Sequence, residues 1–401
     1  MTQHDMSSAA GDERASRRAP LDGVLVADFS RVLAGPLCSM FLADLGATVI
    51  KVERPDVGDD TRAWGPPFVG ATSTYYTSVN RNKRSVTLDL ADPGDLALAH
   101  ELALRADVFI ENFRPGKLAD FRLDAGSLLA ANPRLVYASI SGFGSGPGAD
   151  LPGYDFVVQA VGGLMSITGE AGGPPTKVGV ALVDVLTGLH ATIAILAALR
   201  EREASGLGQH VEVNLLSSLL ASLVNQGAGY INGAGTPGPM GNRHPSIAPY
   251  ETLATSDGPL AVAVGNDRQF ATMAAVLERP GLAIDPRFRT NSDRVANRDA
   301  LVSELEATLR TRTSAEWSKL LGDRGVPCGP VNDIAGAIAF AEALELSPVV
   351  SLPSSTGAVA TLASPLVLHS TPVRYHRAPP GLGADNEGVR AWLGAADARL
   401  R

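Results

Sequence analysis

The chain has 401 residues, 45% of them apolar and 19% charged, with a formal net charge of −8. This supports a large folded core, enough for two domains, and excludes a disordered chain. It also gives no basic field for nucleic acid or an anionic membrane, so an acidic substrate would need local basic pockets.

In chain order, residues 1–20 lack the apolar core of a secretion signal and read as a flexible tail. The segment 23–29, GVLVADF, reads as a buried strand. At 36–46 a helix follows, with Pro36 at its start and Gly46 at its stop, and 47–53, ATVIKVE, is a second strand. Strands at 106–113 and 134–144 follow, with a helical pattern at 94–105. This alternation predicts an α/β fold with a doubly wound, mostly parallel sheet over 21–224. Residues 178–183 read as a short buried strand that ends at Asp184, with a helix behind it through 199. After a helix and apolar segment at 211–224, the Gly- and Pro-rich stretch 225–249 reads as a long loop. A hairpin with its turn at Asp257 and Gly258 comes next, then helices near 267–278, 293–311 and 314–322. The last carries a candidate capping box, Thr313 and Glu316. A smaller α+β domain is thus expected over 225–330, with 331–401 as a C-terminal segment ending in a helix near 386–395. Apolar runs such as 191–199 are too short to cross a bilayer.

Asp184 admits two readings. It can cap the helix that follows it, or it can present a reactive carboxylate, because open α/β sheets bind ligands beyond the carboxyl ends of their strands. The first βαβ turn, SRVLAGPLC, lacks the GxGxxG pattern of a dinucleotide-binding fold, and no GxSxG elbow is present. The glycine-rich GFGSGPG at 142–148 is either a plain loop or one that covers a ligand. His190 reads as structural, and His244 as a loop residue. Basic residues gather at Arg81, Lys83 and Arg84, at Arg54, and at Arg114 and Lys117. The last two sets follow strand ends and suit an anion site. Cys38 and Cys328 are far apart, with no CxxC or Cys/His cluster. No metal site is expected, and a reducing cytoplasm is the expected compartment.

The stretches DFSRVLAGP, LGATVIKVERP, NRNKRS, IENFRPG, NPRLVYASISGFG, GYDFVVQAVGGLMSITG, VALVDVLTG and GNRHPSIAPY together resemble the class III CoA-transferase family, also called CaiB/BaiF. The run from ERPDVGDDTRAWGPPFVG to NRNK is most similar to the succinyl-CoA:glutarate CoA-transferase branch of that family. The resemblance implies that Asp184 is the catalytic nucleophile. It also implies that CoA contacts fall on Leu33, Ala34, Arg54, Leu88, Ala91, Asn112, Phe113, Arg114, Gly153, Tyr154 and Asp155, with Pro152 where some relatives carry a basic residue. An acyl-CoA and a carboxylic acid would be the substrates, with no cofactor beyond them. Racemases of the family have a histidine where Tyr154 stands, which favours transfer over 2-methylacyl-CoA racemisation. A non-catalytic acyl-CoA-binding relative is disfavoured because Asp184 is present. For a dicarboxylate acceptor such as glutarate, Arg243 and His244 are the candidate ligands of the remote carboxylate. The resemblance further implies a homodimer of interlocked chains.

Overall fold

A computed structural model describes residues 18–70, 72–354 and 357–395. The expected tail, 1–20, lies almost wholly outside that range. The chain divides into a large unit, residues 1–162, 178–231 and 347–401, and a small one, residues 163–177 and 232–346.

The large unit is built on six strands: β1 (Leu25–Asp28), β2 (Thr48–Glu53), β3 (Lys83–Thr87), β4 (Val108–Glu111), β5 (Val136–Ser141) and β6 (His210–Asn214). All are parallel, in the order β3-β2-β1-β4-β5-β6. The order reverses between β1 and β4, so the loops after these two strands diverge and leave a crevice. One sheet face packs Phe29, Ile50, Val86, Phe109 and Tyr137 against Leu102 and Leu128. Phe29, Phe109 and Tyr137 stack across β1, β4 and β5, with centroids 4.6 and 5.0 Å apart.

Two helices set the geometry beside the crevice, Ala34–Asp44 and Leu182–Ser205. They approach closely at Gly188, where a Cβ would stand 2.7 Å from the carbonyl oxygen of Ala34. A side chain there would push the helices apart, and Asp184 lies one turn away. Leu182–Ser205 is long and apolar enough to cross a membrane by length and composition, more than the run 191–199 suggested. It packs instead against Ala34–Asp44 and β5 as a helix of the folded unit.

Two expectations in this region are corrected. Residues 178–181 pair with no strand, and the helix begins at Leu182, so Asp184 lies inside its first turn. A short apolar run fits a strand or a buried helix start equally well, and here the helix won. The strand of this region is β6, which the sequence reading merged into one segment at 211–224; the helix Leu215–Ser222 follows it directly.

The basic run at 79–85 is built into the interior of the fold. Arg81 is buried and binds both oxygens of Asp44 at 3.0 and 2.6 Å, and the carbonyl of Leu362. Lys83 is fully buried and donates to Asp28, the Pro36 carbonyl and Asn80. Burial pulls the Lys83 ammonium down to about 8.

The C-terminal segment rejoins the large unit from residue 347, later than the expected 331. It covers the edge strand β3: the Asp385 and Asn386 side chains accept the backbone N–H groups of Ser85 and Thr87. An edge covered in this way is closed to pairing with another chain.

The small unit contains the expected hairpin, Tyr250–Ala254 with Pro259–Ala263, joined by Cys328–Pro330. Helices Asp267–Val276, Arg298–Leu309 and Ser314–Gly322 cover a core that includes Phe270, Met273, Leu305 and Trp317. The Thr313–Glu316 capping box is formed. Residues 163–177 belong here too, tied in by the Gly241 N–H to the Gly169 carbonyl. The expected loop at 225–249 begins instead within a helix, Val224–Ile231.

Candidate active site

The crevice opens where β1 and β4 end. The loop after β1 runs through Arg31 and Val32, and the loop after β4 through Asn112 and Phe113. The Asn112 side chain binds the loops together, accepting from the Arg31 N–H at 2.9 Å and donating to the Arg31 carbonyl at 2.7 Å. Val32 has φ 70°, a left-handed conformation that costs a β-branched residue energy. Its N–H is held by the carboxylate of Asp59, and Asp59 in turn forms a buried ion pair with Lys51 at 2.9 Å. This network sets the backbone at Leu33 and Ala34, where a helix begins without a side-chain cap.

A cavity of about 240 Å³ lies here, lined by Leu33, Ala34, Asn112, Phe113, Arg114, Gly153, Tyr154 and Asp184, among others. The loop at 142–144 forms another wall. At Gly142 a Cβ would lie 2.5 Å from the Cα of Gly153, so both positions need glycine for the backbones to cross. Arg114 is exposed, with no ion-pair partner among the described residues. A second cavity, about 490 Å³, is lined by Arg54, Leu88, Ala91, Phe113 and Lys117. Arg31 and Phe113 belong to both cavities, so the two adjoin. Ten of the eleven expected CoA contacts are thereby gathered into two neighbouring cavities.

The eleventh, Asp155, is engaged beside a helix start. Its Oδ1 accepts the Val183 N–H at 2.8 Å and the Asp184 N–H at 3.4 Å, and Oδ2 accepts from Gln159. Asp155 therefore serves the start of helix Leu182–Ser205, whose own N-cap, Ala181, has no side chain to do so. Asp184 itself is not the cap of this helix. Its carboxylate has no hydrogen-bond or ion-pair partner among the described residues and lines the cavity. Burial, then the charge of Asp155, pushes its carboxyl up to about 7.

Tyr75 is a residue that sequence reasoning missed. Burial, then the charges of Asp184, Asp155 and Asp59, raises its hydroxyl to about 12, so it stays a neutral phenol near the carboxylate. TSTYYTS carries no motif that could have flagged it. Arg31 and Asp60 were missed as well.

Arg243 and His244 lie in the small unit. Arg243 pairs with Glu251 at 3.2 Å and Asp299 at 2.8 Å. The His244 Nδ1 accepts the Ser246 N–H, and the ring packs on Tyr250.

A crevice at a strand-order reversal thus carries cations along two cavities and, in one of them, a carboxylate with no partner among the described residues. The chain belongs to CoA-transferase family III, whose family model matches residues 21–386. It is 43% identical over 391 residues to the succinate–glutarate CoA-transferase of Agrobacterium fabrum, covering 94% of this chain and 96% of that one. It is 42% identical over 366 residues to the human succinyl-CoA:glutarate CoA-transferase, covering 91% and 84%. A solved CAIB/BAIF family protein from Brucella suis aligns with TM-score 0.84 and 42% identity, over 94% of this chain and all of that one.

Proposed function

We propose that this CoA-transferase moves CoA from succinyl-CoA to a short dicarboxylate, glutarate or a close analogue, through covalent intermediates on Asp184. The observation that carries the mechanism is the unpaired, partly buried Asp184 carboxylate in the wall of the cavity. A carboxylate freed from capping keeps its lone pairs for attack, and a raised pKa makes the anion more nucleophilic. Its oxygen attacks the thioester carbonyl. The C–S bond breaks, giving a mixed anhydride and CoA thiolate. The thiolate then attacks the Asp184 carbonyl, releases the donor acid and leaves an aspartyl-CoA thioester. The acceptor carboxylate attacks that thioester and expels thiolate, which finally attacks the acceptor carbonyl and frees Asp184. Bonds broken and formed are of the same kinds, so the exchange runs near equilibrium.

The identity to transferases named for glutarate supports the substrate pair. The second cavity suits the nucleotide end of CoA, with Arg54 and Lys117 on its wall. We also propose a homodimer. Large apolar side chains stand exposed on the helices of the large unit, Ile193 at 64%, Val224 at 71% and Ile231 at 77%, a surface that a second chain would cover.

Incubation with succinyl-CoA and hydroxylamine tests the mechanism, because hydroxylamine converts either covalent intermediate to a hydroxamate. Mass spectrometry should find that hydroxamate on Asp184. The wild type should form glutaryl-CoA, and Asp184→Ala should bind CoA yet transfer none. Turnover at the wild-type rate in Asp184→Ala, or a hydroxamate on another residue, overturns the assignment. Preference for monocarboxylates in an acceptor panel overturns the substrate choice alone.

A further inference from the structure

Asp60 occupies a particular place. It lies on the wall of the cavity that contains Asp184. One of its oxygens pairs with Arg54 at 2.6 Å and the other with Arg31 at 3.3 Å. Arg54 lines the second cavity, and Arg31 lines both. The carboxylate is therefore an anion held between two guanidinium groups where the cavities meet. The pairs are weak, because the three side chains are between 36% and 51% exposed. Ion pairs of that exposure are largely offset by solvent screening. Arg31 also carries unspent capacity: its Nε is buried and has no hydrogen-bond partner. A buried N–H without a partner is rare and points to a missing acceptor. Phe113 lies under the guanidinium, 5.5 Å from carbon to ring centroid, which limits where the group can turn.

We propose that Asp60 is an internal stand-in for a phosphate of CoA, holding Arg31 and Arg54 until the substrate exchanges it, and that Arg31 is a phosphate ligand of the bound ester. This rests on the reading that CoA occupies the two cavities. A phosphate offers more acceptor oxygens than a carboxylate and suits the arginine fork. On exchange, Asp60 is left as an unpaired negative charge beside a phosphate. That repulsion weakens CoA binding and speeds its release. Asp60 thus sets the affinity, while the arginines supply the attraction.

The test is the dissociation constant of CoA, measured by calorimetry on the full chain, with phosphate-free pantetheine as control. Asp60→Asn should bind CoA roughly threefold to fivefold more tightly and pantetheine unchanged. Arg31→Ala should weaken CoA binding by about tenfold or more, the loss of a charge-assisted hydrogen bond. In the double variant Arg31→Ala/Asp60→Asn, only part of the gain from Asp60→Asn should vanish, because the pair with Arg54 and the repulsion of the phosphate do not depend on Arg31. Dephospho-CoA, which lacks the 3′-phosphate, separates the two sources. If its affinity responds to Arg31→Ala as CoA does, the pyrophosphate is the ligand; if it does not respond, the 3′-phosphate is. Circular dichroism of each variant guards against misfolding, and Asp60→Ala provides a second replacement. Unchanged or weaker CoA binding in both folded Asp60 variants overturns the proposal. If Arg54→Ala also leaves CoA affinity unchanged, the placement of CoA in these cavities fails instead.

Discussion

The Asp184 carboxyl sits at about 7, pushed there first by burial and then by the charge of Asp155. Only the anion attacks a thioester, so transfer should fall as pH drops through about 7, with kcat following the ionised fraction. The linkage has a definite sign. The folded pKa lies above the unfolded carboxylate value, so the folded state holds the proton more tightly. Ionised Asp184 therefore costs stability in full above pH 7, and the cost fades as pH falls towards 4. Asp184→Asn should accordingly raise Tm at pH 8 and leave it near the wild-type value at pH 4, while abolishing transfer. A Tm gain of equal size at both pH values would mean that the charge is not the cause. Another buried acid, Asp28, behaves in the opposite way. Burial pushes its carboxyl up, but Lys83 and Lys51, with the hydroxyls of Ser30 and Ser39, hold it below the usual range. Asp28 is thus a fixed charge of the scaffold, and Asp184 a titrating one.

At the scale of elements, the helix Leu182–Ser205 needs a cap at a point where its own sequence offers Ala181. The acceptor comes instead from the first turn of the helix Asp155–Val161. Only the three-dimensional structure shows this division of labour. The sequence placed Asp184 at a helix start beside the crevice, but could not show that a residue 29 positions earlier meets the capping need. The two roles of Asp155 can be separated. Asp155→Asn keeps an oxygen for the Val183 N–H but removes the charge, so the pH midpoint for transfer should move down. Asp155→Ala removes the acceptor too and should cost about 1 kcal/mol of stability, read from urea midpoints. A midpoint unmoved in Asp155→Asn would show that its charge does not act on Asp184. The strand-and-helix alternation of the large unit was legible because fully buried parallel strands are continuous apolar runs. The role of the run 79–85 was not legible, for a related reason. A cluster of charges looks solvated in one dimension, and its partners Asp44, Asp28 and the Leu362 carbonyl lie far away in sequence.

The whole molecule leaves apolar surface where a lone folded unit would bury it. Ile193, Val224, Tyr230 and Ile231 all stand more than half exposed on helices of the large unit. Large apolar side chains left exposed in this way suit a surface that another protein covers. The proposed homodimer would supply that cover, and we propose that its two chains are interlocked. Interlocking has a consequence that ordinary association lacks. Two chains threaded through one another cannot part while both stay folded, so dilution should not release a folded monomer. Light scattering should therefore give twice the chain mass, and sedimentation at nanomolar concentration the same. Mixing tagged and untagged dimers should give hybrids only as fast as the chains unfold, so exchange should speed up in urea alongside unfolding followed by circular dichroism. A monomer at any concentration that preserves native circular dichroism would rule out interlocking. Rapid hybrid formation in buffer would leave a dimer, but one held by its surface alone.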